Sequence, residues 1–232
     1  MKYLSEQFDF GAETGDDGIS STAAMEARLT AIEDRLRELN MDDTAHAQLN
    51  KEASLLLLGL EHNEEAWQRA RPLFEPYIER QQWQDAVEVC DICFRAEQEG
   101  SMSALGQGVW LAVTFPVDPE LTVAMLQHIV DETPDDSDGA AVAAATALYV
   151  ADLRAEGEQY DDLHFFAMQM LGTVARRHSN IDGQEQFDAW IAKLELSDPA
   201  MFLVRMRNVI DVMVQSDWWF DRAAVQAELP VN

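Results

Sequence analysis

Apolar residues that recur at steps of three and four positions are the feature that most constrains the fold of this chain. Residues 65–97 contain two such series, Ala66, Ala70, Leu73 and Tyr77, and then Ala86, Val89, Cys90 and Cys93. Steps of three and four place side chains on one face of an α-helix, whereas a half-buried strand alternates apolar and polar residues. The window therefore predicts two amphipathic helices joined by a turn, an arrangement typical of surfaces that bind other proteins.

The same spacing runs through most of the 232 residues. One series has steps of 4-3-4-3, namely Met25, Leu29, Ile32, Leu36 and Leu39. This narrow seam favours packing on the next helix, and the alternative is a homodimer through the helix of residues 25–39. Pro72 and Pro76 predict a kink or two short helices, because proline removes a backbone donor. Residues 109–115 have the residue types of a strand, but their helical neighbours favour a buried helix.

Four aspartates mark predicted helix starts. Asp118 and Asp198 are each followed by a proline, whose missing N–H costs nothing in the first turn of a helix. Asp161 and Asp182 precede apolar series of helical spacing, and an aspartate there can accept a hydrogen bond from a free backbone N–H.

Residues 65–98 resemble one tetratricopeptide repeat. Tyr77 falls on the aromatic position of the first helix, and Ala86 falls on the small residue of the second. Gln81 stands where the family has its turn glycine, and the terminal proline of the family is absent. The resemblance implies helix pairs that stack as in an α-solenoid and dock other proteins.

Together these patterns predict an all-α fold, an irregular helical array of about nine helices with tetratricopeptide-like helix pairs. Residues 1–20 carry three glycines and several acids, which indicates a flexible acidic N-terminal arm. Residues 21–232 are expected to form a single all-α domain.

The charge of the chain excludes several classes of partner. There are 43 acidic residues against 16 basic ones, which gives a net charge of −27. That charge repels nucleic-acid phosphates and anionic membrane surfaces, so neither is expected as a partner. Three explanations of the acidity stay open: a solvated surface, adaptation to salty surroundings, and an acidic face that docks a basic protein or imitates nucleic acid.

The sequence gives no sign of export. The amino terminus, MKYLSEQFDFGAE, lacks the pattern of a signal peptide. No uncharged apolar run reaches the roughly 18 residues that span a bilayer. A cytoplasmic protein of bacterial type is therefore expected.

Cys90 and Cys93 form a Cys-x-x-Cys sequence in the middle of a predicted helix. A redox motif needs a thiolate at a helix start, where backbone amides lower its pKa. Here both cysteines lie on the apolar face, so we expect them to be buried core residues and not a redox or metal site.

Two aspartate–histidine pairs are the candidates for a metal site. Asp43 precedes His46 by three residues, and Asp161 precedes His164 by three, which places each pair on one helical face. Di-metal helical bundles use Glu-x-x-His at this spacing. Each aspartate is better explained as a helix cap, so no metal and no other cofactor is expected.

Six aromatic residues are predicted to contact a partner: Trp67, Tyr77, Trp83, Trp218, Trp219 and Phe220. Tryptophan is enriched at the residues that dominate binding energy in protein interfaces. Neighbouring tryptophans on one helix cannot point the same way, so one of Trp218 and Trp219 is expected to stay partly exposed. The alternative is that the last three seal an open end of the array.

The favoured function is an adaptor or assembly chaperone that holds another protein on a groove between helix pairs. One alternative is a small metal-dependent enzyme with carboxylate and histidine ligands in a helical bundle. The other is an acidic inhibitor or nucleic-acid mimic that binds a basic protein. The missing nucleophile-elbow and phosphate-loop motifs favour a protein that is not an enzyme, and no catalytic residue is assigned.

Overall fold

The regular structure is helical wherever the computed structural model describes the chain. It describes residues 2–4, 15–39, 44–227 and 229, and it describes side chains within the first helix only from residue 21 onward. These ranges contain no β-strand, so the all-α prediction is confirmed. None of their helices combines the length and the hydropathy needed to cross a bilayer.

The helices are α1 (Gly15–Leu36), α2 (Thr44–Gly59), α3 (Asn63–Ala70), α4 (Phe74–Glu79), α5 (Trp83–Arg95), α6 (Ser101–Thr114), α7 (Pro119–Glu132), α8 (Asp138–Arg154), α9 (Gly157–Ser179), α10 (Gln184–Lys193), α11 (Pro199–Val214) and α12 (Arg222–Ala227). A 3₁₀ turn, Arg71–Leu73, separates α3 from α4. The described residues thus hold more than the roughly nine helices expected. The prolines divide one predicted helix into α3 and α4.

The chain divides into two compact units. Unit 1 contains Met1–Phe8 and Val109–Met213, and unit 2 contains Asp9–Gly108 and Val214–Asn232. The expected division into an arm of residues 1–20 and one domain of residues 21–232 stays a prediction, because most of the arm lies outside the described residues. Within the range assigned to the arm, α1 already begins at Gly15.

In unit 2, α1 packs on α2 through the seam read from the sequence. Ile32, Leu49 and Ala53 are buried at the centre of the contact. Four partly buried leucines surround them: Leu29, Leu36, Leu39 and Leu56. The seam therefore packs on the next helix, which is the interpretation that the sequence favoured. A homodimer through residues 25–39 stays a prediction and would have to use other residues of α1.

The window that resembles a tetratricopeptide repeat forms a helix pair, with α3 and α4 packed on α5. The expected interruption at the prolines is confirmed, since α3 ends at Ala70 and the 3₁₀ turn leads into α4. Gln81 adopts a left-handed φ of 55°. The next residue, Gln82, donates its N–H to the carbonyl of Tyr77 at 2.9 Å. Gln81 thus takes the backbone conformation that a glycine adopts in such a turn.

In unit 1, the alanine-rich α8 lies at the centre. Every residue from Ala140 to Ala147 is buried. α7 and α9 pack along α8, and Phe202 of α11 contacts Tyr149 with ring centroids 5.9 Å apart. A helix that is covered on all sides needs small side chains so that its neighbours can approach closely.

Three arginines close the C-terminal ends of helices in unit 1. Arg154 donates to two carbonyls in the last turn of α6, each at 2.7 Å. Arg177 donates to a carbonyl near the end of α7 at 2.5 Å, and Arg205 donates to the carbonyl that follows α10 at 2.5 Å. The planar guanidinium offers several donors, and its charge suits the negative end of a helix dipole.

Two of the four predicted helix starts are correct. Asp118 Oδ1 accepts the N–H of Glu120 at 2.8 Å, and Asp198 Oδ1 accepts the N–H of Ala200 at 2.9 Å. The starts at Asp161 and Asp182 are wrong, since α9 begins at Gly157 and α10 at Gln184. Each aspartate misses the helix boundary by a few residues, because an acidic residue near a helix start need not be the cap itself.

Candidate partner-binding site

Four of the six aromatic residues predicted to bind a partner come together in unit 2. Trp67 lies on α3, and Trp218, Trp219 and Phe220 lie in the non-helical segment between α11 and α12. The helix expected to run through these last three residues is wrong. Asp221 Oδ1 accepts two backbone N–H groups of the first turn of α12, at 3.0 and 3.1 Å, so this helix starts after them.

The indole of Trp219 is enclosed by three side chains. The guanidinium carbon of Arg71 lies 3.8 Å from the ring centroid. Phe74 and Trp67 approach edge to face, with centroid distances of 5.1 and 6.1 Å. Arg71 is itself held by Glu75, whose carboxylate oxygens accept from one guanidinium nitrogen at 2.8 and 2.9 Å. These contacts combine cation–π attraction with aromatic packing around one ring.

Two buried polar side chains of α6 bind the main chain of the same segment. Ser103 Oγ donates to the carbonyl of Asp217 at 3.0 Å, and Gln107 Nε2 donates to that carbonyl at 3.3 Å. Gln107 Oε1 accepts the N–H of Trp219 at 2.7 Å. The fully buried Gln107 amide therefore uses both its donor and its acceptor on the non-helical backbone of this segment. The sequence contained no signal for these two residues, because an isolated polar residue in an apolar helix does not indicate which group it will contact.

We call the surface formed by Trp67, Arg71, Phe74, Ser103 and Gln107 the aromatic groove, and residues 217–220 the tail segment. Gly100 borders the groove with a φ of 94°, and a Cβ at this position would lie 3.4 Å from the Trp67 ring. A larger residue there would be strained in its backbone and would crowd the indole.

Trp218 and Trp219 make different contacts. The Trp218 ring lies 5.6 Å from that of Phe220, and the guanidinium of Arg222 lies 4.6 Å from the Trp218 centroid. All three aromatic residues of the tail segment are half-buried. Whether they contact a partner stays a prediction.

Tyr77 and Trp83 are not part of the aromatic groove. Tyr77 is fully buried and presents no surface to a partner, and its hydroxyl has no hydrogen-bond partner. The pKa of Tyr77 lies above its ordinary value, chiefly because burial disfavours the phenolate and also because Asp85 and Glu88 repel it. Trp83 is the first residue of α5 and is half-buried.

A buried ion cluster lies close to Tyr77. Lys51 of α2 donates to the carboxylates of Asp85 and Glu88 on α5. Gln48 donates to Asp85 at 2.8 Å, and the Lys51 ammonium lies 5.7 Å from the centroid of the Tyr77 ring. The only sequence signal for the cluster was the three-residue spacing of the two acids, which places them on one helical face.

The residues considered for a metal site make local contacts. Asp43 lies outside the described residues. His46 Nδ1 is 3.0 Å from the amide nitrogen of Asn50, and His164 Nδ1 is 2.7 Å from a carboxylate oxygen of Asp152. Asp161 is exposed on α9. In the described ranges no three histidine, cysteine, aspartate or glutamate side chains are grouped to hold a metal ion. The metal-dependent alternative stays a prediction.

Near the end of α9, a serine, a histidine and an aspartate are connected by a chain of hydrogen bonds. His178 Nδ1 is 2.7 Å from Ser179 Oγ, and His178 Nε2 is 3.1 Å from Asp138 Oδ1. Trp190 Nε1 also donates to His178 Nδ1 at 3.2 Å. An indole N–H can only donate, so Nδ1 is an acceptor and Nε2 carries the proton. Because Ser179 lies at the negative end of a helix dipole, which disfavours an alkoxide, we interpret the set as a link between α8, α9 and α10.

Cys90 and Cys93 are free thiols buried on α5, as predicted. Burial raises the pKa of the Cys90 thiol well above its ordinary value and that of Cys93 to about 12. Ser101 Oγ donates to the backbone carbonyl of Cys93 at 2.9 Å. Protonated and inaccessible thiols are poor nucleophiles, so this geometry fits a packing role.

In unit 1, α8 exposes one large apolar side chain, Leu153, and α9 and α11 each expose more than one. Phe165 and Met168, one turn apart on α9, are 64% and 39% exposed. On α11, Met201, Val204 and Val212 are 43%, 60% and 72% exposed. We call these residues the outer faces of α9 and α11. The opposite side of each helix is buried: Leu163, Ala167, Met170, Phe202, Met206 and Ile210.

Comparisons of the chain with protein-family models, curated proteins and solved structures found no match. The likeness of residues 65–98 to a tetratricopeptide repeat stays a prediction from the sequence.

Proposed function

We propose that the protein is an adaptor or assembly chaperone that holds another protein on its helical surface. The observation that carries the proposal is the pair of outer faces on α9 and α11. Single exposed apolar residues are ordinary, but here they recur at helical spacing opposite a buried side. Both helices thus carry exposed apolar side chains opposite their buried side, among polar residues such as Gln169 and Asn208. Each outer face therefore suits an amphipathic surface of a partner.

The acidic charge indicates what kind of protein this partner is. Asp161 and Asp162 are exposed one turn before Phe165 on α9. Both units carry more acidic than basic residues. A segment with apolar side chains flanked by lysine or arginine would match the outer face in shape and charge. We therefore propose a basic, amphipathic partner segment.

The helix pair of α3 and α4 with α5 supports the same class of function. Its likeness to a tetratricopeptide repeat implies a scaffold of stacked helix pairs. We therefore propose that the protein uses such a scaffold, in which paired helices provide rigid support for docking surfaces.

Affinity capture from the native host tests the proposal. The wild-type chain should retain a basic protein, and Phe165→Asp and Val204→Asp should each lose it by tenfold or more, because a carboxylate would then be buried in an apolar contact. Leu55→Asp is the matched control, since Leu55 is 39% exposed in unit 2. The proposal fails if no protein is retained, or if all four chains retain the same proteins equally.

Ionic strength gives a second readout of the same complex. If the exposed acids attract the partner, retention should weaken as sodium chloride rises from about 0.05 to 0.5 M, because the Debye length then falls well below 10 Å. Retention that does not change with salt would argue against a basic partner while leaving the apolar contact in place.

A further inference from the structure

The tail segment lies in the aromatic groove in the way that a bound peptide lies on a protein surface. Residues 217–220 are not helical, and α6 holds their main chain through the Asp217 carbonyl and the Trp219 N–H. The Trp219 side chain lies between Trp67, Arg71 and Phe74, and the Phe220 ring also lies 5.7 Å from that of Phe74. Main-chain hydrogen bonds that provide affinity and a pocket that selects one side chain are the two parts of peptide recognition.

The chemistry of α6 at this point favours recognition over simple packing. Ser103 and Gln107 are buried polar residues within an apolar helix. Burying an amide or a hydroxyl costs free energy unless its hydrogen bonds are replaced. Gln107 Nε2 also lies within hydrogen-bond distance of Ser103 Oγ and of the Ser103 carbonyl, at 3.1 and 3.3 Å. The partners outside α6 are backbone groups, which a bound segment of another sequence can supply. The groove therefore selects the sequence of a bound segment mainly through the residue that fills the pocket.

The pocket favours an indole. Arg71 lies over the face of the Trp219 ring, and tryptophan is the strongest cation–π partner among the side chains. Glu75 holds the guanidinium in place, so its orientation does not have to be fixed when a segment binds. Phe74 is fully buried and provides a rigid wall.

The tail segment is flanked by exposed residues. Gln215, Ser216 and Asp217 are exposed, and Val225 is the only buried residue of α12. Exposed flanking residues allow a segment to open locally before the helices beneath it unfold.

We propose that the aromatic groove is a docking site for a non-helical, tryptophan-bearing segment of another protein, and that the tail segment occupies it in cis until that segment displaces it. The tail is then an autoinhibitory contact built into the chain. This inference does not rest on the outer faces of α9 and α11, which lie in unit 1, so either proposal can fail without the other.

A labelled peptide of residues 214–224, VQSDWWFDRAA, tests the groove in trans. The full-length Trp219→Ala variant keeps every groove residue but lacks the indole that fills the pocket. Fluorescence anisotropy should show that it binds the peptide at least tenfold more tightly than the wild type does. In the wild type the tail competes at the millimolar effective concentration of a short tether.

Two controls test whether the pocket around Trp219 is responsible for peptide binding. A peptide with alanine at the second tryptophan should bind Trp219→Ala about thirtyfold more weakly, which is the loss expected for a residue that dominates an interface. Trp83→Ala removes a half-buried tryptophan of unit 2 outside the groove and should behave like the wild type. Equal binding of both peptides, or no binding to a folded Trp219→Ala chain, would overturn the proposal.

Hydrogen exchange on the wild-type chain provides a test without substitutions. The Trp219 amide, bonded to Gln107, should exchange at least tenfold faster than the buried amides of α5, because the tail opens before the helices do. Protection equal to that of α5 would show that the tail leaves only on global unfolding and would overturn the proposal. A wild-type dimer that Trp219→Ala converts to a monomer would also overturn it, since the occupant would then be the tail of a second copy.

Discussion

Six residues other than glycine adopt left-handed backbone conformations in the described chain, and each follows the end of a helix. They are Glu61, Gln81, Glu97, Asn180, Glu195 and Gln215, with φ between 52° and 60°. Such a conformation costs a residue with a Cβ roughly 1–2 kcal/mol, which glycine avoids. The helix ends are stabilised by backbone bonds such as that from the Leu196 N–H to the Ile191 carbonyl, at 3.0 Å.

Replacing one of these residues by glycine should stabilise the protein. We expect Glu195→Gly to raise the free energy of unfolding by about 0.5–1 kcal/mol, because it relieves the backbone and removes a negative charge at the negative end of α10. Glu185→Gly is the control in the same helix, where φ is helical and glycine should cost about 1 kcal/mol. Urea unfolding of the two variants measures both changes, and a destabilised Glu195→Gly would contradict the interpretation.

The buried thiol of Cys93 makes stability depend on alkaline pH. Its pKa is raised from 9.0 to about 12 in the folded chain by burial. Below pH 9 the Cys93 thiol is protonated in both the folded and the unfolded chain, so the full stability of the folded state is present there. Above pH 9 only the unfolded thiol ionises, so stability falls as pH rises toward 12, by on the order of 1 kcal/mol per unit.

Unfolding in urea at several pH values between 8 and 11 checks this dependence. Cys93→Ala should show a shallower alkaline decline than the wild type. Tyr77 contributes in the same direction, because its pKa is also raised, and it does so in both chains. Identical pH profiles for the two chains would show that Cys93 is not the cause.

At the scale of the helices, the contact between α2 and α5 depends on one lysine. The Lys51 side chain is 10% exposed, and the side chains of Asp85 and Glu88 are 19% and 16% exposed. Removing one partner from a buried ion cluster leaves the others with an uncompensated charge, which typically costs 3–5 kcal/mol. We expect Lys51→Met to destabilise the chain by roughly that amount.

Two comparisons separate the ion cluster from ordinary surface pairs. Arg28→Ala breaks an exposed pair with Glu52, at 2.6 Å, and should cost under about 1 kcal/mol. The triple change Lys51→Met, Asp85→Asn and Glu88→Gln should be milder than Lys51→Met alone, because no carboxylate is left unpaired. Thermal unfolding gives the order, and a triple variant as unstable as the single one would contradict it.

The helices themselves could be predicted because each one carries its own signal. The seam of α1, the interruption at Pro72 and the starts at Asp118 and Asp198 are patterns within a few neighbouring residues. The helix ends at Glu61, Glu97 and Glu195 could not be predicted, since glutamate is not a residue that marks a left-handed turn. Contacts between residues far apart in the sequence could not be predicted for a related reason. Gln107 and Trp219 are 112 positions apart, and neither residue carries a local sign of the other.

At the scale of the molecule, the type of the candidate residues was predictable and their arrangement was not. Tryptophan and phenylalanine were selected as binding residues from their chemistry alone, and four of them do come together in unit 2. Tyr77 looked similar in the sequence, but its place on the inner side of α4 buries it fully. The boundary between the units could not be predicted from the sequence either, because it falls inside α6 and α11, where no change of composition marks it.

The net charge of −27 leads to a prediction for the whole chain. Like charges on a compact surface repel one another, and unfolding relieves the repulsion by moving them apart. Salt screens this repulsion in the folded state. Stability should therefore rise by about 1 kcal/mol or more between 0.02 and 0.3 M sodium chloride, the range over which the Debye length falls below 10 Å.

A variant with fewer acids shows whether charge repulsion is the cause of this rise. Asp182, Glu185 and Asp188 are exposed at the start of and along α10, and their replacement by Asn, Gln and Asn removes three negative charges without disturbing the core. Its unfolding free energy should depend less steeply on sodium chloride than that of the wild type. Sodium sulfate is unsuitable for the comparison, because it stabilises proteins by exclusion from their surface. If stability instead fell with sodium chloride in both chains, attractive ion pairs within the folded chain would outweigh the repulsion between its acidic groups, and the prediction would be wrong.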